Sequence, residues 1–151
     1  MEYNGPVQSP VPQEEELLAA ALEVLNQAHA PYSEFRVGAA LLDAEGKVHV
    51  GCNVENASFG LTICAERVAV SSAVASGARE YRSMVIAFVG ETKVPPCGAC
   101  RQFMAEFAPE LEIAWGGPEG IVGRATLSEL LPSAFHGGLL DARAQPDTEG
   151  A

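Results

Sequence analysis

The chain has 151 residues, a formal net charge of −11 at pH 7, an apolar fraction of 48% and only 19% charged residues. A chain of this length forms one domain that buries about two-thirds of its unfolded surface. The acidic excess argues against a nucleic-acid polymer as the main partner, because phosphates attract clustered lysine and arginine. No apolar run approaches the ~18 residues of a membrane span. We therefore expect a cytoplasmic protein with neither a secretory leader nor membrane contact.

The first half of the chain predicts a helix followed by a hairpin. Residues 1–13 hold three prolines and little that could pack, so we expect a flexible extension there. A helix is predicted from about Gln13, because apolar residues recur at helical spacing up to Leu25. Residues 35–42 and 47–53 predict two antiparallel strands joined by a short turn. Gly38, inside the first strand, indicates that another backbone or a ligand approaches closely.

The second half alternates helices with apolar strands. Helices are predicted over about residues 64–76 and 98–107, and strands over 84–89, 111–115 and 121–126. Ser128 is the predicted N-cap of a short last helix. These elements predict an α/β protein, a three-layer α/β/α sandwich around one mixed five-stranded sheet, spanning residues 14–136. Residues 137–151 are rich in Gly, Pro and polar residues and are expected to form a flexible tail.

Three of the four cysteines lie in two short motifs that predict a zinc site. Cys97 and Cys100 are three apart at a predicted helix start, so both side chains lie on one face. With Cys64 as a third ligand, one position of a tetrahedral zinc stays open, as in catalytic zinc sites. Glu66 is two residues from Cys64, so the two can serve one site only if Cys64 precedes the regular helix. We expect Cys97 to occupy the same position on the next helix.

Five segments together resemble the signature of the small, homotetrameric, zinc-dependent cytidine deaminases. In chain order they are PYSEFRVGAA at 31–40, NVENASFG at 53–60, CAER at 64–67, PCGACRQ at 96–102 and LLPSAF at 130–135. The resemblance implies the fold predicted above. It also implies hydrolytic deamination of cytidine and 2′-deoxycytidine to uridine and 2′-deoxyuridine with release of ammonia. One zinc ion per subunit and a homotetramer with sites at subunit boundaries are implied as well.

The resemblance assigns a role to each residue of the site. Glu66 is the expected catalytic acid and base, which takes a proton from the attacking water and delivers it to the pyrimidine and the departing ammonia. Arg67 is expected to donate to a ligand sulfur and so to withdraw negative charge from the metal cluster. Cys64, Cys97 and Cys100 are the implied zinc ligands.

The expected substrate is a nucleoside without a phosphate. Asn53 and Glu55 are implied to bind the ribose hydroxyls, and a carboxylate there would repel a phosphorylated sugar. Phe35 is implied to stack on the base, and the backbone of Ala65 to bind an edge atom of the pyrimidine. Phe135 is implied to close the base pocket from a neighbouring subunit, with core packing as the competing account. These five residues are the predicted substrate contacts.

Two alternatives stay open at this point. A deaminase of blasticidin-type cytosine nucleoside antibiotics shares the cysteine motifs, although the run at 53–58 favours plain nucleosides. A structural zinc module would need a fourth protein ligand, and no remaining cysteine or histidine is well placed.

The remaining cysteine and the histidines are not expected to bind metal. Cys52 is expected in the core, and none of the three histidines, His29, His49 and His136, is an expected ligand. Phe59 stands where many relatives carry tyrosine, so any contact made by that hydroxyl is absent.

Overall fold

The structure is a computed structural model, and it describes residues 12–138. The predicted extension and tail therefore lie largely outside the described residues, but the first helix already begins at Pro12. Within this range every helix is too short or too polar to cross a membrane. The elements in chain order are α1 Pro12–Leu25, β1 Val37–Asp43, β2 Val48–Cys52, a 3₁₀ helix Phe59–Leu61, α2 Ala65–Ala75, β3 Tyr81–Phe88, α3 Gly98–Ala105, β4 Glu112–Gly117, β5 Gly120–Thr126 and α4 Leu127–Leu130.

The strands form one five-stranded mixed sheet in the order β2-β1-β3-β4-β5. Strands β3 and β4 are parallel, and every other neighbouring pair is antiparallel. The antiparallel pairs β1/β2 and β4/β5 are hairpins, and α3 is the crossover that a parallel pair requires. The mixed sheet predicted from the sequence is confirmed.

Helices cover both faces of this sheet, which confirms the three-layer sandwich. Helix α1 packs on one face against the side chains of Ala40 and Leu42 from β1 and of Val85 from β3. The opposite face carries α2, α3 and α4 over Ala39 and Leu41. Successive residues of a strand point to opposite faces, so all seven residues of β1 are buried.

Two glycines allow the helices to approach the sheet closely. A Cβ atom placed on Gly38 would lie 1.9 Å from the carbonyl oxygen of Ala21 in α1. On the other face, a Cβ on Gly51 would lie 2.4 Å from the backbone nitrogen of Ala69 in α2. The predicted close approach at Gly38 is confirmed, and the neighbour is the backbone of α1.

Two local predictions are wrong. Helix α4 is capped by Thr126 and not by Ser128, because the Thr126 hydroxyl accepts from the Glu129 N–H while the Glu129 carboxylate accepts from the Thr126 N–H. This reciprocal pair satisfies two donors that a helix start leaves free. Cys52 is only half-buried and belongs to neither core cluster, because it ends an edge strand.

Candidate metal centre and active site

Two cysteines stand at the same position on different helices. Cys64 is the N-cap residue of α2, with φ −72° and ψ 154°, and Cys97 is the N-cap residue of α3, with φ −66° and ψ 163°. Both have extended backbones outside the regular helix, as the sequence predicted. Two helix N-termini therefore converge, and their positive ends favour thiolates over thiols.

Three sulfur atoms meet between these helix starts. The Sγ atoms of Cys64, Cys97 and Cys100 all lie within 4.8 Å of one another. Tetrahedral zinc with bonds near 2.3 Å places its sulfur ligands about 3.8 Å apart, so the cluster fits that ion with small adjustments. Among residues 12–138, no fourth histidine, cysteine or carboxylate joins this group. The donor set therefore suits a zinc ion with an open position.

The electrostatics of the cluster favour an ionised sulfur at Cys64 and a protonated one at Cys100. Hydrogen bonding from Cys100, together with the nearby Arg67 guanidinium, lowers the pKa of Cys64 to about 5. The pKa of Cys100 is raised, first by sharing its proton with Cys64 and then by burial. Metal binding displaces such shared protons, because the ligating form of cysteine is the thiolate.

Two arginines next to the ligands play different parts. Arg67 donates from Nη2 to the Thr62 carbonyl at 3.2 Å and towards Sγ of Cys64 at 3.9 Å. Arg101 makes no such contact with sulfur. It donates from Nε to the Pro96 carbonyl and from Nη1 to the Leu130 carbonyl, each at 2.7 Å. Arg101 thus fixes the backbone that leads into Cys97.

Glu66 lies in the first turn of α2 and is 5% exposed. Burial raises the pKa of this carboxyl, and the negative charge of Cys64 adds to the effect. Both causes disfavour the ionised form. A carboxyl in this environment accepts a proton more readily than one on the surface.

Asn53 and Glu55 lie just beyond the end of β2, and both side chains turn to the same neighbouring segment. Asn53 accepts from the Val37 N–H at 2.9 Å and donates to the Phe35 carbonyl at 2.8 Å. Glu55 accepts from the Tyr32 N–H at 2.8 Å, from the Ser33 N–H at 3.3 Å and from the Ser33 hydroxyl. The two residues therefore hold segment 32–37 in place.

The remaining predicted contacts are two aromatic rings and one backbone group. Phe35 is 36% exposed and stacks on Phe88, with ring centroids 5.6 Å apart. Ala65 is the first residue of α2, so its N–H has no acceptor within the helix. Phe135 is 58% exposed, which excludes core packing within this chain. The side-chain amide of Gln102 donates to the Phe135 carbonyl oxygen at 2.7 Å and accepts from the Phe135 N–H at 3.3 Å.

Two groups of contacts were missed by reasoning from the sequence. Ser33 bridges Glu55 and the backbone of Phe35, and Gln102 binds the backbone of Phe135. Both residues stand inside the motifs quoted above, which is the one signal that could have singled them out. His49 lies outside the sulfur cluster, and its Nε2 pairs with the Asp43 carboxylate at 2.8 Å.

Comparison with known proteins identifies relatives of this chain that carry a zinc-binding region. The family model described as the cytidine and deoxycytidylate deaminase zinc-binding region matches residues 11–113. A cytidine deaminase from Halalkalibacterium halodurans is 49% identical over 79% of this chain and 91% of that protein. A probable cytidine deaminase from Dictyostelium discoideum is 42% identical over 88% of this chain and 90% of that protein.

A solved structure shows the same fold. The crystal structure of cytidine deaminase from Burkholderia pseudomallei superimposes with a TM-score of 0.76 at 46% identity, over 80% of this chain and 98% of that one. The zinc-binding family match falls on the region that holds the three-sulfur cluster. The chain belongs to the cytidine deaminase family.

Proposed function

We propose that this protein catalyses the hydrolytic deamination of cytidine and 2′-deoxycytidine, giving uridine or 2′-deoxyuridine and ammonia. The observation that supports this most directly is the three-sulfur cluster with Glu66 buried two residues after Cys64. A structural zinc site would have four protein ligands, and the described residues offer three in this group. The relatives named cytidine deaminase point to the same reaction.

Cys64, Cys97 and Cys100 would hold the zinc ion. When bound, zinc supplies Lewis-acid activation of a water molecule. Three thiolates outweigh the charge of the ion by one unit, so proton transfer needs a strong partner in the protein. Arg67 opposes that excess charge at the sulfur of Cys64.

Glu66 would move the protons of the reaction. It takes one proton from water as the oxygen adds to C4 of the pyrimidine, and it gives that proton to N3. The carboxylate then takes the second proton of the added oxygen and passes it to the amino group, which departs as ammonia. Water and cytidine are consumed, and Glu66 ends the cycle as the carboxylate that it was at the start. The raised pKa of Glu66 suits a group that must both accept and donate.

The nucleoside would be held by residues around the same opening. Phe35 would stack on the base, and the free N–H of Ala65 would bind an edge atom of the pyrimidine. Asn53 and Glu55 would bind the sugar hydroxyls. The pKa of Glu55 is lowered by the Ser33 hydroxyl and the Tyr32 N–H, so the group is ionised at neutral pH and repels a 5′-phosphate.

We also propose a cytoplasmic homotetramer in which Phe135 of one subunit closes the pocket of another. The exposed Phe135 ring on a fixed backbone supports this arrangement. Light scattering on the protein as it elutes from a size-exclusion column would give the mass of the assembly in solution, and we expect that of four chains. A monomer that is fully active would contradict this part of the proposal.

A side-by-side assay tests the reaction. Purified protein with a measured zinc content is offered cytidine, 2′-deoxycytidine, CMP and blasticidin S, and deamination is followed by ultraviolet absorbance. We expect turnover of both nucleosides, poor turnover of CMP, and about one zinc ion per subunit. Preference for blasticidin S would favour an antibiotic deaminase. Tightly bound zinc with no turnover of any of them would favour a structural zinc module.

A further inference from the structure

We propose that Ser33 is a positioning residue for nucleoside binding, which fixes the sugar-side carboxylate of Glu55 and the base-side ring of Phe35 relative to each other. The inference rests on the proposed function, because it assumes that both residues touch the nucleoside. It concerns a residue that touches neither the metal cluster nor Glu66 in any described contact.

The Ser33 hydroxyl is used in both directions. It donates to Oε1 of Glu55, and it accepts from the backbone N–H of Phe35 at 3.0 Å. A hydroxyl has one proton to donate, so this bond to Glu55 sets its orientation. One side chain therefore links the two residues that are proposed to hold opposite ends of the nucleoside.

The carboxylate of Glu55 is left with little freedom. Its Oε2 accepts from the N–H groups of Tyr32 and Ser33, and its Oε1 accepts from the Ser33 hydroxyl. A carboxylate has about four lone-pair positions, so these three bonds leave one, on Oε1. That position can take one sugar hydroxyl, and the Ser33 bond determines where it points.

The backbone between these contacts is strained. Glu34 has a φ of 57°, in the left-handed region that non-glycine residues rarely adopt. Such a conformation persists where surrounding contacts determine it, and it occurs often at ligand clamps. Here the bond from Phe35 N–H to the Ser33 hydroxyl spans Glu34, and the Asn53 amide holds the Phe35 carbonyl at 2.8 Å. Loss of the Ser33 hydroxyl would release this turn on one side.

The test is a double-mutant cycle with Ser33→Ala, Glu55→Gln and the double variant. Kd for uridine is measured by calorimetry, and KM and kcat are measured for cytidine. For Ser33→Ala we expect Kd and KM to rise about tenfold, as for the loss of a hydrogen bond to a charged group, with kcat nearly unchanged. The double variant should lose much less than the product of the two single effects, because both act on one contact.

Three controls keep the result interpretable. Ser33→Thr retains the hydroxyl and should restore Kd to within about threefold of the wild type. Ser72→Ala removes an exposed hydroxyl on α2 and should change nothing. Zinc content and the melting temperature of Ser33→Ala should match the wild type, so that a general loss of structure is recognised.

Several results would overturn the inference. An unchanged Kd and KM in Ser33→Ala, effects that multiply fully with Glu55→Gln, or an equal loss in Ser33→Ala and Ser33→Thr would each do so. A fall in kcat with constant Kd would also count against it. A wild-type protein that binds uridine without deaminating cytidine would refute the proposed function, while the uridine measurements would still decide the role of Ser33. A wild-type protein that neither binds uridine nor deaminates cytidine would refute both.

Discussion

The Nη2 atom of Arg67 lies 3.2 Å from the Thr62 carbonyl oxygen and 3.9 Å from the sulfur of Cys64. The guanidinium thus connects the loop before α2 to one of the three sulfurs. Its Nε atom is buried without a hydrogen-bond partner among the described residues. Both contacts with the loop and with the sulfur of Cys64 are made by Nη2.

Replacing Arg67 by alanine should weaken the metal centre without removing it. The negative charge on the sulfurs would lose its compensating donor, and changes to groups that bind metal ligands cost about 10–100-fold in affinity or activity. We expect kcat or zinc affinity to fall within that range, measured by steady-state kinetics and by competition with a chromogenic chelator. Arg79→Ala, an exposed arginine beyond the other end of α2, is the control. Equal behaviour of the two variants would contradict the role of Arg67.

Replacing Glu66 by glutamine should separate catalysis from metal binding. Glutamine keeps the size of the buried side chain but cannot accept a proton, so kcat should fall by about 10²–10⁴. Zinc content should stay at the wild-type value, because Glu66 is not in the sulfur cluster. Atomic absorption and single-turnover assays give both quantities. Loss of zinc from this variant would mean that Glu66 is a fourth ligand.

Replacing Gly38 by alanine should destabilise the fold. The new Cβ would meet the Ala21 carbonyl oxygen at 1.9 Å, so α1 would have to move away from the sheet. Overpacking of this kind costs about 1–3 kcal/mol in the free energy of unfolding. Gly137→Ala is the matched control, because a Cβ there meets no atom within 4 Å. Urea unfolding of both variants measures the difference, and similar midpoints would show that the close approach is not rigid.

The Asp43 carboxylate should stabilise the protein in a pH-dependent way. Its pKa is lowered from 3.8, first by the hydrogen bond with His49 and then by the N–H groups of Lys47 and Glu45. A lowered pKa means that the stabilisation is complete well above 3.8 and is lost as the pH falls through the folded-state value. Asp43→Asn should therefore be less stable than the wild type at neutral pH.

The difference in the free energy of unfolding between Asp43→Asn and the wild type should narrow as the pH falls below about 4. Urea unfolding at a series of pH values measures it. Glu80→Gln serves as the control for loss of one acidic charge, since Glu80 is exposed and lines the same surface pocket as Asp43. A gap that widens on acidification would contradict the assigned direction.

The sequence was sufficient for the features that depend on local spacing. The N-cap positions of Cys64 and Cys97 followed from the requirement that Cys64 and Glu66 serve one site, and the structure confirms them. Gly38 was predicted to meet another backbone or a ligand because a strand interior rarely favours glycine, but the sequence could not decide between the two or name Ala21 as the neighbour. The helix cap at Thr126 was missed even though Thr126 and Glu129 have the spacing of a capping box.

Contacts that depend on the path of a loop were out of reach. Asn53 and Glu55 were assigned to a sugar from resemblance, but their bonds to segment 32–37 require knowledge of where that segment lies. Gln102 and Phe135 are 33 residues apart, and nothing in the chain between them indicates that they meet. Contacts of this kind depend on how the complete sheet positions its connecting loops.

Helix α1 is the sole layer over one face of the sheet within residues 12–138, and this matters for protein engineering. A fusion joined ahead of Pro12 leaves that layer intact, whereas trimming into the helix uncovers Ala40, Leu42 and Val85. The shortened protein would present a sticky apolar surface and should precipitate on expression, even though every metal ligand is still in the chain.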